Sequence, residues 1–386
     1  MADPQIEARR AAEAAARQSY GKLVAILAAQ FRNVARAEDA VADAFRKALE
    51  TWPDRGLPDR PEAWLATAAK RRIIDDARKA GRRRDALPHL ERLLEERQSM
   101  PRSEIPDERL RLIFACADPA IDPAMRAPLI LQAVLGFDAA AIGSAFLVSP
   151  ATMGQRLVRA KHKIAASGAA FTVPDSEDLP ARLPPVLDAI YAGFGLGWSD
   201  PASDRTRDLS EEAIWLASLI GSLLPEAPEP KGLLALMLFA HARRAARRNP
   251  DGAYVPLDDQ DTGLWDAEMI RKALEQMTAG AKAGPPGRYM IEAAIQSNHV
   301  ARWVGQPVDR ARIGSLYDDL WAAHPTVSVF IGRAASRADT DGPEAGLALL
   351  GELGADQVAA YQPYWSVKAE LHHRAGQIDA ARDAFS

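Results

Sequence analysis

The chain has 386 residues, of which 48% are hydrophobic and 26% are charged, a composition typical of soluble globular proteins. Its single cysteine, Cys116, excludes a disulfide framework and a multi-cysteine zinc site. The longest apolar run, residues 232–240, is about half of what a membrane span needs, and the N-terminus lacks the apolar stretch of a secretory signal. The sequence therefore predicts a cytoplasmic protein of two or three domains.

Charge divides the chain into two unlike parts. Residues 1–170 contain 28 Lys and Arg against 22 Asp and Glu, whereas residues 171–386 contain 20 against 30. The overall net charge of -4 thus conceals a basic first part, at +6, and an acidic second part, at -10. A polyanion could bind the first part and would be repelled by the second.

Apolar residues at spacings of three and four predict helices from the start of the chain. Two helices fall within residues 6–50, the second beginning near Ala37. Prolines and a glycine predict a structured loop over residues 52–61, and Pro61 then opens a helix that runs to about Arg84. Residues 86–106, which include three prolines, are typical of a linker.

Residues 137–164 have the layout of a helix-turn-helix. Asp138 can cap a short first helix, and Ser149 followed by Pro150 is a favourable start for a second. The unit is predicted to extend over residues 107–168. Its second helix has an apolar stripe made of Met153, Leu157, Ala160 and Ile164.

The opposite face of that second helix carries side chains suited to DNA. Arg pairs with guanine, Gln pairs with adenine, and Lys holds phosphates. Residues 150–164 contain four Lys or Arg and no acidic residue. An ordinary helical hairpin with a basic solvent face is the alternative interpretation. The predicted DNA-binding residues are Thr152, Gln155, Arg156, Arg159, Lys161 and Lys163.

A second basic cluster lies on the helix predicted from Pro61. Residues 70–84 contain eight Lys or Arg and two Asp. A charge run is more often a solvated face, but guanidinium groups on neighbouring turns suit phosphate neutralisation and stacking along one nucleic-acid strand. Two basic units joined by a linker could reach two separated DNA elements. The candidates here are Trp64, Lys70, Arg71, Arg72 and Arg78.

The acidic part is also predicted to be helical. Amphipathic helices centre near residues 190, 216, 237, 272, 295 and 317, and no useful β-branched alternation occurs, so we predict an all-α fold. Gly342 and Gly376 begin similar stretches 34 residues apart, which is the tetratricopeptide period. Residues 169–386 are therefore predicted to form a tetratricopeptide-like helical domain that could bind a protein partner in its groove.

Taken together, these stretches resemble bacterial RNA polymerase sigma factors of the sigma-70 family. Residues 23–49 look like the polymerase-binding core of region 2, and residues 61–78 look like the helix that reads the promoter -10 element. The helix-turn-helix is similar to region 4, which reads the -35 element. No region 1.1 or region 3 fits between them, so the resemblance is to the extracytoplasmic-function (ECF) type with a long helical extension.

The resemblance implies a separate role for each segment of the chain. Residues 1–85 would be region 2, residues 86–106 a linker, residues 107–168 region 4, and residues 169–386 an extension that regulates activity in cis. The implied partners are promoter DNA and core RNA polymerase, through its β′ clamp helices and β subunit. The implied β′ clamp contacts are Asp39, Asp43 and Phe45.

The resemblance also bears on two further segments. The loop of residues 53–60 would lie beside the flipped non-template base. Cys116-Ala-Asp118 stands where relatives carry a segment resembling Cys-Cys-His, so no metal or redox role is carried over to it.

The sequence offers no pattern for catalysis, a cofactor or a metal. Residues 193–197 are glycine-rich but have the wrong spacing for a phosphate loop, and the acidic residues 258–261 are typical of a solvated loop that caps a helix near Trp265. Cys116 is expected to be a small buried hydrophobic residue.

Two other functions stay open. A helix-turn-helix repressor or activator with a helical ligand- or partner-binding domain explains one basic unit. A tetratricopeptide scaffold explains only the acidic part.

Overall fold

The computed structural model describes residues 19–28, 30–31, 33–80, 108–146, 148–166, 176–198, 204–359 and 361–385. The chain separates into two compact units, residues 1–216 and 217–386. Within the described ranges the elements are helices, and one isolated bridge between Arg248 and Tyr254 is the sole extended pairing. The predicted all-α fold is confirmed. The predicted linker of residues 86–106 lies outside the described residues.

Helices of the first unit follow a helical segment at residues 19–28. They are α1 (Val34–Arg55), α2 (Pro61–Ala80), α3 (Glu108–Cys116), α4 (Pro123–Ala133), α5 (Ala139–Ala145), α6 (Pro150–Ala166), α7 (Leu179–Trp198) and the part of α8 (Asp204–Leu223) up to residue 216.

Helix α1 is longer than predicted at both ends. It begins at Val34 because Asn33 caps it, with Asn33 Oδ1 accepting from the backbone N–H of Arg36 at 2.9 Å. It continues through Pro53 to Arg55, so the loop predicted from residue 52 was wrong by one turn. Trp52 is only 3% exposed, and its burial favours the extra turn.

Helix α4 lies at the centre of helices α3 to α7. Leu129, Ile130 and Leu131 are fully buried in it, and α3, α5, α6 and α7 pack around it. Cys116 at the end of α3 is buried, as predicted. Arg182 anchors α7 to the end of α3, donating to the carbonyl of Phe114 at 3.2 Å and pairing with Asp118 at 3.0 Å.

The second unit contains the remaining helices. After the end of α8 they are α9 (Pro228–Ala242), α10 (Ala267–Ala283), α11 (Arg288–Val300), α12 (Arg310–Ala323), α13 (Val327–Asp341), α14 (Pro343–Leu350), α15 (Ala355–Val358), α16 (Gln362–Arg374) and α17 (Ile378–Phe385).

Helix α9 is the buried centre of the second unit. It contains the apolar run of residues 232–240 and packs against α10 and α11. The carboxylate of Glu229 on α9 caps α11, accepting from the backbone N–H groups of Gly287 at 3.1 Å and Tyr289 at 2.8 Å. At Gly232 an added Cβ would lie 2.5 Å from the backbone nitrogen of Met290, so the two helices touch through backbone.

Gly342 and Gly376 each lie between two consecutive helices. Both have positive φ, at 96° and 75°, which glycine adopts without steric penalty. Gly342 separates α13 from α14, and Gly376 lies between α16 and α17. The 34-residue spacing therefore relates two glycines of positive φ between helices, but the turns differ, since Gly342 alone joins its helices and residues 375–377 join the second pair.

Candidate nucleic-acid and polymerase interfaces

Helices α5 and α6, which the sequence predicts to be a helix-turn-helix, are joined by a tight turn. Asp138 caps α5, accepting from the N–H of Ala141 at 2.8 Å, and Ser149 Oγ accepts from the N–H of Thr152 at 3.3 Å. The turn is close, because the N–H of Val148 donates to the carbonyl of Gly143 at 2.8 Å and a Cβ on Gly143 would lie 2.5 Å from the carbonyl oxygen of Val148. Glycine at position 143 permits this approach.

Helix α6 presents most of the predicted DNA-binding residues to solvent. Gln155, Arg156, Arg159 and Lys163 are exposed, Thr152 is half-buried, and Met153 and Leu157 are buried on the opposite side. Val158 is 55% exposed and was not among the predicted residues. An apolar side chain there could contact a thymine methyl group. Ala160 is half-buried, and the side chain of Ile164 lies outside the described residues.

Lys161 differs from the other basic residues of α6. Its ammonium pairs with the carboxylate of Glu38 on α1, and its side chain is 17% exposed. Burial raises the pKa of Glu38, and the charge of Lys161 opposes that rise. The pair joins residues 123 positions apart in the sequence, and no local pattern singled out Glu38.

The helical segment at residues 19–28 packs against the turn between α4 and α5. A Cβ on Gly21 would lie 1.9 Å from the carbonyl oxygen of Val134, and one on Gly136 would lie 3.1 Å from the Tyr20 ring. Ser19 donates to Glu62 on α2. The two predicted DNA-binding parts thus form one compact body in the first unit.

The predicted -10 residues lie along α2. Trp64 is half-buried and meets Trp52 edge-on, with 5.6 Å between ring centroids. Lys70 and Arg71 are exposed, whereas Arg72 pairs with Asp76 at 3.1 Å. The side chain of Arg78 lies outside the described residues.

The predicted polymerase contacts lie on α1. Asp39 is exposed and Phe45 is half-buried. Asp43 pairs with Arg46 at 2.6 Å and Lys47 at 3.0 Å, and the hydrogen bond from Arg46 lowers its pKa. Its carboxylate also lies 3.8 Å from the guanidinium of Arg72, so the predicted polymerase and -10 residues are neighbours here.

Other chemical candidates have structural roles. Gly193 lies within α7, where a Cβ would approach Leu135 to 2.7 Å, so the glycine allows close packing. Asp261 caps a short 3-10 turn ending at Leu264, and Asp266 rather than the predicted acidic loop caps α10. Among the described residues, no three His, Cys, Asp or Glu side chains are placed to hold a metal. In the same ranges, no helix combines the length and apolarity needed to cross a bilayer.

Comparison with known proteins gives two family matches. Residues 16–83, which include all of α1 and α2, match the model of sigma-70 region 2. Residues 182–281 match a family of unknown function, DUF6596. The chain is 37% identical over 364 residues to a protein of Rhizobium meliloti (strain 1021) that is described only as uncharacterized. That alignment covers 92% of this chain and 86% of the relative. No solved structure matches.

Proposed function

We propose that the chain, which belongs to one family with its Rhizobium meliloti relative, is a sigma-70 family factor that directs RNA polymerase to promoters with -10 and -35 elements. The observation that supports this best is the position of region 2, because residues 16–83 contain both the exposed acid Asp39 and the exposed bases Lys70 and Arg71. A factor of this kind recruits the polymerase and reads DNA without catalysing a reaction.

Region 2 is proposed to make the polymerase contact and the -10 contact from adjacent helices. On α1, Asp39, Asp43 and Phe45 face the β′ clamp helices, and the β subunit is the second polymerase contact. On α2, Lys70, Arg71 and Arg72 neutralise the backbone of the melted strand, with Trp64 beside them. The loop of residues 56–60 between these helices adjoins the flipped base.

The helix-turn-helix is proposed to read the -35 element as region 4, within residues 107–168. Gln155 and Arg156 project from the first half of α6, the part of a recognition helix that meets base edges, and Arg159 lies just past its middle. Lys163 supplies a phosphate contact. Lys161 can add another only if its pair with Glu38 separates, so full -35 binding is proposed to require opening of the first unit.

Residues 169–386 are proposed to be an ECF-type extension that regulates the factor in cis. Its acidic charge complements the basic part, and its helix pairs at Gly342 and Gly376 favour a tetratricopeptide-like array. A cytoplasmic location follows from this role.

Run-off transcription tests the proposal. Purified core polymerase and the full chain are incubated with fragmented genomic DNA, and transcript 5′ ends are mapped. Discrete start sites that share -10 and -35 elements are expected. Replacing Arg156 and Arg159 together with Ala should abolish them, whereas Arg271→Ala, an exposed change on α10, should not.

A chain shortened to residues 1–216 serves as the second arm, in case the second unit restrains initiation. If neither chain yields discrete start sites, the proposed function is wrong. If the two chains give equal output, regulation in cis is wrong.

A further inference from the structure

A groove of about 580 Å³ runs along the second unit between α10 and α12, with α11 as its floor. Met290 and Ile291 form the floor and are 5% and 7% exposed. The sides combine Met277 on α10 and Leu316 on α12 with three small residues, Ala281, Ala322 and Ala323. Small side chains leave room between the helices, so the groove can accept large apolar side chains from another molecule.

The α12 side of the groove carries one cation and one anion. Arg312 and Asp319 both line it and both are exposed. Neither side chain has an ion pair or hydrogen bond with any residue that the structure describes, although the adjacent Asp318 pairs with Arg333 at 2.6 Å. The groove therefore has two opposite charges available to a ligand.

The distance between Arg312 and Asp319 restricts the secondary structure of a ligand that could pair with both. Arg312 and Asp319 are seven residues apart on one helix, so they share a face at a separation of about 10 Å along the axis. Leu316 lies between them and lines the same groove. A single carboxylate or amine can satisfy only one of the two charges.

A helical ligand can present an acidic and a basic residue at this spacing on one face, whereas a β-strand cannot. On a helix, an acid and a base seven residues apart also stand about 10 Å apart on one face, with apolar residues between them. On a strand, residues about 10 Å apart are three apart and point to opposite sides.

The floor of the groove is held in place before any ligand arrives. Glu229 caps α11 from the buried helix α9, and the backbones of these helices touch at Gly232. A Cβ on Gly280 of α10 would lie 2.6 Å from Met290 Sδ, so the Met290 side chain packs directly against α10. A preformed groove loses little conformational entropy on binding.

We propose that this groove binds an amphipathic helix of a partner protein, whose acidic residue pairs with Arg312 and whose basic residue, seven positions away, pairs with Asp319. Apolar side chains between those charges occupy the space above Met290 and Ile291. This goes beyond the proposed promoter recognition, which concerns only the first unit.

Selection from a peptide library tests the proposal on the full chain. The probe is a phage-displayed library of Ala-rich helical peptides, randomised among Glu, Lys, Leu and Ala at two positions seven residues apart and at the two positions between them on the same face. Enriched peptides are expected to carry opposite charges at the outer positions and Leu at the inner ones. Arg312→Glu should weaken their binding at least about tenfold.

Reversing one charge of the groove gives the sharper result. Arg312→Glu should select Lys at both outer positions, and Asp319→Lys should select Glu at both. Arg271→Glu, outside the groove on α10, should leave the selection unchanged. Because all three sites are exposed, the fold should persist, and circular dichroism checks this.

Three outcomes overturn the proposal. They are the absence of any enriched peptide, enrichment that the two groove variants do not alter, and sedimentation showing a dimer of this chain that Arg312→Glu dissociates. The last result would assign the groove to a second copy. None of these results depends on transcription, so a failed run-off assay would not be mistaken for failure of the groove proposal.

Discussion

The pair between Lys161 and Glu38 offers the most direct test of how the first unit works. Glu38→Gln keeps the shape of the side chain but removes its charge. In the described arrangement Lys161 would then lose its ion partner while its side chain remains largely buried. The closed arrangement is expected to weaken, and Lys161 becomes free to contact DNA phosphate.

The structure sets the size of the effect. Removing one partner of a buried ion pair typically costs about 3 to 5 kcal/mol. The effect here lies below that range, because the lysine stem can carry its ammonium toward solvent and because burial, which raises the pKa of Glu38, already disfavours its charged form. About 1.4 kcal/mol corresponds to roughly a tenfold shift toward the open arrangement.

Fluorescence anisotropy with a short labelled duplex measures the consequence at several salt concentrations. The dissociation constant should fall by up to roughly tenfold in Glu38→Gln, since apparent affinity scales with the population able to bind. One added phosphate contact should also steepen the log-log salt slope by about 0.9.

Glu50→Gln is the matched control, because it removes the same charge from an exposed position on the same helix. If Glu38→Gln binds DNA with the same constant and salt slope as Glu50→Gln, the ion pair does not restrain the -35 helix. The reasoning from the structure is then refuted.

Three other changes have defined outcomes. Gly143→Ala should cost about 1 to 3 kcal/mol in thermal unfolding because its Cβ would lie 2.5 Å from the Val148 carbonyl oxygen; Gly154→Ala, whose Cβ meets only Ala139 at 3.7 Å, should be neutral or stabilising. Burial lowers the pKa of His299 to about 4, below its unfolded value of 6.5, so the unfolded state binds more protons between these pH values. Stability should therefore fall by up to about 3 kcal/mol as pH drops from 6.5 to 4, and His299→Gln should flatten that part of the unfolding profile. Burial also raises the pKa of the Cys116 thiol, so iodoacetamide should modify it only on unfolding, and rapid labelling of the native chain would contradict this.

Periodicity and capping chemistry predicted the local structure well. Asp138 and Ser149 cap the helices that the sequence assigned to them, and each predicted centre in the acidic part falls within or beside an observed helix. These features depend on residues a few positions apart, which is the range over which helical patterns are informative. The end of α1 was missed because the burial of Trp52 comes from tertiary packing, which outweighs the proline signal.

The candidate sites were only partly predictable. Exposed charges on α6 follow from helical spacing, but Lys161 has the same sequence signature as Lys163 and a different environment. What separates them is a partner 123 residues away, which no local pattern encodes. The groove was equally unpredictable from local sequence. Arg312 and Asp319 become part of a binding surface only because α10 and α11 place apolar residues beside them.

The cap that Glu229 provides for α11 also has a consequence for the order of events during synthesis. The acceptor precedes the Gly287 donor by 58 residues, so at about 5 to 20 residues per second it leaves the ribosome several seconds earlier. Helix α11 therefore meets a carboxylate already in place as its first turn emerges. Loss of the Glu229 carboxylate would therefore first slow or disturb the folding of the nascent chain.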